Sequence, residues 1–183
     1  MAGDEEKDAE LERLRFPIGR AQVEPDLSAA RVRELLDQMA SVPARVRAAA
    51  TALSERALDT PYRPGGWTAR QVVHHLPDSH MNAYVRFKLT ATEDEPAVRV
   101  YQEAEWAKLA DSAGPVAVSL ALLEALHERW VGWMRTLDER AWRRIYVHPQ
   151  NGRVTLLHGL QIYAWHGDHH LAHIRAAAER ARA

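Results

Sequence analysis

Apolar residues recur at helical spacing in four separate stretches of this chain, and most of these stretches are bounded by signals that suit a helix terminus. Val32, Leu35, Leu36 and Met39 share one face of a first helix that should start near Asp26 or Ser28. Pro43 then breaks or kinks the pattern before Val46, Ala50 and Leu53 resume it. TPYRPGGWT is turn-rich, and Thr68 with Gln71 has the Thr-x-x-Gln form of a capping box, so a second helix is expected over 68–90. Residues 92–114 read as a long connection with a short amphipathic piece at 103–109. Pro115 suits the first position of a third helix, 115–137, because its missing N–H costs nothing there. IYVHPQNGRVT alternates and turns at PQNG, which predicts a short hairpin, and a fourth helix should run over 155–180.

Four helices, a long crossover between the second and third, and a hairpin before the fourth predict an all-α four-helix bundle, a fold whose interior can build metal sites from facing helices. The chain of 183 residues suits one domain over 15–183, with the acidic residues 1–14 as a flexible tail. No Walker loop, GxGxxG, GxSxG or HExxH motif is present. With 24 Lys and Arg against 25 Asp and Glu, the chain lacks the basic excess that drives binding to nucleic acid. It has neither a leader-like apolar segment nor a membrane-length apolar run, so a cytoplasmic protein acting on small molecules, away from membranes, is expected.

The chain has no cysteine, which removes disulfides, thiolate ligands and a cysteine nucleophile; any thiol chemistry would use an imported thiol. It has ten histidines, and five fall in two tight groups: His74 with His75, and His166 with His169 and His170. In WHGDHHLAHI, His166 and His170 stack one helical turn apart, and so do His169 and His173. All four share one stripe, so spacing alone does not choose the pair. Relative to the core face of Leu160, Tyr163, Ala164, Leu171 and Ile174, His170 and then His166 lie nearest and His169 farthest. On the second helix, His74 points away from the face of Val72, Val73, Leu76 and Phe87, whereas His75 borders it. The line from His75 continues through Ser79, Asn82 and Arg86 as a polar stripe. His80 is expected as a hydrogen-bonded core histidine, while His127, His148 and His158 stand alone. The plain alternative is that His-x-x-x-His is two surface side chains and the stripe is merely solvated.

TPYRPGGWTARQVVHHLPDSHMNAYVRFKL, LLEALHERW and YAWHGDHHLAHI closely resemble the YfiT-like branch of the DinB superfamily, over nearly the whole chain from Phe16 onward. The resemblance implies a four-helix bundle, a homodimer, and one divalent ion, zinc or nickel, bound by three histidines. Matched residue by residue, these are His75, His166 and His170. The family usually has Ala where this chain has Pro77, which should remove a hydrogen bond to Val73 and kink the helix beside a ligand.

Three protein nitrogens leave a coordination position open, the pattern of a catalytic rather than a structural site. A water there could become a nucleophile for hydrolysis, and a thiol could become a thiolate for transfer to an electrophile. The resemblance implies both, since the family has been described as metal-dependent hydrolases while relatives conjugate low-molecular-weight thiols such as bacillithiol. Thiol transfer is favoured because the one acidic candidate for a general base near a ligand is Asp78, with Asp168 pointing outward. Asn82 and Arg86 are candidate contacts for an anionic thiol substrate. A metal-stabilised binding module is the non-enzymatic alternative.

Overall fold

Side-chain caps set where three of the long helices begin. The hydroxyl of Ser28 accepts from the Arg31 amide at 3.2 Å, and that of Thr155 accepts from the His158 amide at 3.0 Å. Thr68 and Gln71 form the reciprocal box: the Thr68 hydroxyl accepts from the Gln71 amide at 3.2 Å, and the Gln71 side chain accepts from the Thr68 amide at 3.0 Å. The computed structural model describes the backbone of residues 2–182 and the side chains of residues 6–182. Its elements are α1 (Ala2–Arg15), α2 (Ala29–Thr51), α3 (Glu55–Leu58), α4 (Ala69–Thr92), α5 (Glu103–Trp106), a 3-10 turn (Ala110–Ala113), α6 (Val116–Met134), α7 (Glu139–Trp142), β1 (Ile145–His148), β2 (Gly152–Thr155) and α8 (Leu156–Arg180). No helix among the described residues is long and apolar enough to cross a membrane.

Three expectations change. The stretch read as a tail is helical over Ala2–Arg15, Met1 lying outside the described residues. It is rich in Ala, Glu, Leu and Arg, strong helix formers, and its last turn carries Arg13 and Arg15, which suit a helix C-terminus. Pro43 does not break α2, which runs through it, just as α4 runs through Pro77, and both rings are buried. Each proline forfeits one ladder bond, while the packed turns on either side hold the helix together. Pro115 sits just outside α6 as its extended N-cap (φ −64°, ψ 125°) and not as its first residue.

α2 and α4 each pack against both α6 and α8, so α2 faces α4 across the bundle and α6 faces α8. The links from α2 to α4 and from α6 to α8 therefore join diagonal helices. The crossover after α4 is pinned to the hairpin, where the Val98 amide donates to the Val147 carbonyl at 3.0 Å and the Val147 amide donates to the Pro96 carbonyl at 2.9 Å.

The apolar core lies in two halves. One joins Leu35, Leu36 and Met39 of α2 to Ala83 and Phe87 of α4, Trp130 to Met134 of α6, and Leu156 to Ala164 of α8. The other joins Val42, Val46 and Ala50 to Ala69 to Leu76, Leu120 and Leu123, and Leu171 to Ala177. Where the halves meet, His75 and His80 of α4, His127 of α6, and His166 and His170 of α8 are joined by ring contacts across three helices. A layer of histidine crosses the waist of the bundle.

Candidate metal centre

α4 and α8 are neighbours, and each presents histidine at the waist. The ligating atoms of His75, His166 and His170 all lie within 4.8 Å of one another. The Nε2 atoms of His75 and His166 are 3.4 Å apart. Two nitrogens bound at about 2.0–2.1 Å to one tetrahedral ion stand about 3.3–3.4 Å apart, so the spacing fits a shared ion. Burial lowers the pKa of His75 to about 4, with the His173 charge adding to the effect. Burial likewise holds His166 and His170 well below the usual histidine range. Neutral imidazole is the form that binds a metal. The Trp67 ring, from the turn before α4, walls the site 4.7 Å from the His75 ring and 6.5 Å from that of His170.

The layer is joined by hydrogen bonds. His166 Nδ1 lies 3.0 Å from His80 Nε2, His80 Nδ1 lies 2.6 Å from His127 Nε2, and His127 Nδ1 donates to the Met39 carbonyl at 2.8 Å. His80 is thus the buried, hydrogen-bonded histidine that its position suggests. His127 does not stand alone, and its place on the α6 stripe between Leu123 and Trp130 was the available signal.

Two histidines expected on outer faces are buried. His74 is 7% exposed because the crossover folds over it: its Nε2 donates to the Gly114 carbonyl at 3.0 Å, and its Nδ1 shares a hydrogen bond with the Ser119 hydroxyl at 2.7 Å. His169 is also 7% exposed, stacked on Trp165 at 4.3 Å and lying 5.8 Å from the Phe16 ring. The segment after α1 covers this side, with Trp165 Nε1 donating to the Gly19 carbonyl at 3.1 Å. His173 stacks on Tyr62 at 3.8 Å and its Nε2 donates to the Arg15 carbonyl at 3.2 Å. His169, His170 and His173 form a second group with ligating atoms within 4.8 Å, sharing His170 with the first.

The other candidates are held by contacts of their own. Asp78 belongs to neither histidine group; its pKa is raised by burial and by Asp111, and lowered in part by His74, so its charged neighbours belong to the crossover side of α4. Asn82 Nδ2 donates to the Asp78 carbonyl at 2.9 Å, and Arg86 donates to the Arg99 carbonyl at 3.0 Å. The Arg86 charge also opposes the rise that burial imposes on Tyr146 and Tyr163. Asp168, outside the core as expected, ties α8 to α2 by accepting from Gln38 at 2.8 Å and from Arg45.

Known proteins share this sequence and shape. Residues 38–174 match the DinB superfamily. A relative from Oceanobacillus iheyensis, named "Putative metal-dependent hydrolase", is 43% identical over 166 residues, spanning 91% of this chain and 96% of its own. One from Bacillus mycoides with the same description is 43% identical over 167 residues, again 91% of this chain and 96% of its own. The solved structure of YfiT from Bacillus subtilis, described as "a probable metal-dependent hydrolase with an unusual four-helix bundle topology", superposes with a TM-score of 0.89 at 44% identity, covering 92% of this chain and 97% of that one.

Proposed function

This chain belongs to the DinB superfamily, and from that premise we propose that it is a metal-dependent enzyme whose ion is held by His75, His166 and His170. The observation that carries the reading is the approach of these three side chains, their ligating atoms within 4.8 Å of one another. Bound there, a divalent ion such as zinc or nickel supplies Lewis acidity to an exchangeable group at its open position.

Activation of a low-molecular-weight thiol for transfer to an electrophile is the first reading. No carboxylate joins the histidine groups among the described residues, and the chain has no cysteine of its own. Hydrolysis is the second reading, supported by the names of the relatives; in it Asp78, whose pKa burial raises, would serve as the base. In either reading Asn82 and Arg86, further along the stripe from His75, would contact an anionic part of the substrate.

Metal analysis of the wild type and of His75→Ala, His166→Ala and His170→Ala tests the ligands. One ion per chain, lost in each variant, is expected, and retention in all three would overturn the assignment. Incubating the loaded protein with small thiols and monochlorobimane, beside a panel of esters, separates the reactions. Conjugation above background supports transfer; ester turnover alone supports hydrolysis; bound metal with neither makes the protein a binding module.

A further inference from the structure

The hydrogen bonds at the waist have only one self-consistent direction. A carbonyl only accepts, so His127 Nδ1 carries the proton that meets the Met39 oxygen at 2.8 Å. A neutral His127 then offers a lone pair at Nε2, and His80 Nδ1 must donate to it across 2.6 Å. His80 Nε2 is left as an acceptor for His166 Nδ1 at 3.0 Å. The remaining lone pair of His166 is on Nε2, the atom that stands 3.4 Å from His75 Nε2.

A second chain runs the same way. His173 Nε2 donates to the Arg15 carbonyl at 3.2 Å, which leaves its Nδ1 to accept from His170 Nδ1 at 3.3 Å. His170 too is left with its lone pair on Nε2. His80 is fully buried, and His127 and His173 are 1% and 2% exposed, so water does not compete for these bonds.

We infer that His80, His127 and His173 are positioning residues: two buried chains, each ending on a backbone carbonyl, lock both α8 ligands in the Nδ1–H tautomer and aim their Nε2 lone pairs at one ion. The inference rests on the three-histidine reading above. It also decides the role of His173, which spends its Nδ1 lone pair on His170 and so supports the first site instead of building a second. Partners of this kind fix the ring and raise its basicity, and their loss typically weakens metal binding about 10–100-fold.

Long-range proton–nitrogen correlation spectra of the metal-free protein, labelled with nitrogen-15 in histidine, read the tautomers directly and need no variant. Nδ1–H is expected for His166, His170, His80 and His127, and Nε2–H for His173; an Nε2–H form of His166 or His170 would overturn the inference. Zinc affinity, measured by competition with a chromophoric chelator, should fall about 10–100-fold in His80→Leu and His173→Phe. His80→Gln should recover part of the loss, since its amide can accept from His166 and donate to His127. A folded His80→Leu that binds zinc as tightly as the wild type would overturn it. So would two zinc ions per chain, one of them lost in His173→Phe. Wild-type protein that binds no zinc would sink the metal reading while the tautomers of the metal-free protein still judge this one.

Discussion

A cationic side chain left only 9% exposed needs partners, and Arg70 has them on both sides of the first turn of α4. It donates to Glu55 at 2.5 Å, to Asp59 at 2.7 Å, and to the Gly114 carbonyl at 3.2 Å. Because both carboxylates reach solvent, removing the guanidinium strands no buried charge, and the loss falls mainly on the crossover carbonyl and the packing of the stem. Arg70→Ala should lower unfolding free energy by about 1–3 kcal/mol in urea titration. The sequence could place Arg70 in the first turn of a helix, but only the arrival of residues 55–59 and 114 makes it a structural hub. His127 is the same lesson at the waist: its stripe position marks it as buried, and nothing local says that His80 and the Met39 carbonyl meet it.

Among the elements, α8 depends on close approach. A Cβ at Gly167 would stand 2.6 Å and 3.0 Å from the two methyl carbons of Val42 on α2. Valine has no flexible end to swing aside, so Gly167→Ala must push α8 and α2 apart. The gain in helix propensity, about 1 kcal/mol, opposes an overpacking cost of about 1–3 kcal/mol. A net fall in the thermal midpoint is expected, together with, on the proposed three-histidine site, weaker metal binding, because residue 167 directly follows His166. A variant as stable as the wild type would show that the two helices can separate freely. At the start of α4, by contrast, the reciprocal box was legible from Thr68 and Gln71 alone, and Thr68→Ala should cost about 0.5–2 kcal/mol in the same titration. The helix over Ala2–Arg15 escaped a reading based on periodicity because propensity, not an apolar face, marks it.

For the molecule as a whole, a histidine layer between two apolar halves makes stability depend on pH. His127 falls from 6.5 to about 4 through burial, the Met39 carbonyl opposing; His75 and His173 are lowered by burial to the same level. An unfolded chain takes up these protons as pH drops through about 6.5, whereas the folded one resists until about 4, so the unfolded state binds more protons across that window. Stability of the metal-free protein should therefore fall as pH falls through it, by about 2 kcal/mol between pH 7 and 5 for His127 alone. A urea midpoint unchanged between those pH values would contradict the neutral, buried layer.

What the sequence by itself determined is local in origin. Caps, the 3.6-residue period and the hairpin turn depend on residues a few positions apart, so the four long helices and the starts of α2, α4 and α8 could be read directly, whereas choosing His166 and His170 among four histidines on one stripe also took the core face and the family resemblance. His75 had an address, at the edge of the α4 core face, before its neighbours were known. Tertiary structure decided the rest. His74 and His169 are buried because the crossover and the segment after α1 fold over them; His127 joins His80 because α6 packs beside α4; His173 supports His170 because the carbonyl of Arg15 arrives from far along the chain. Which nitrogen of a histidine carries its proton is set by what meets the other one, and that partner is supplied by packing.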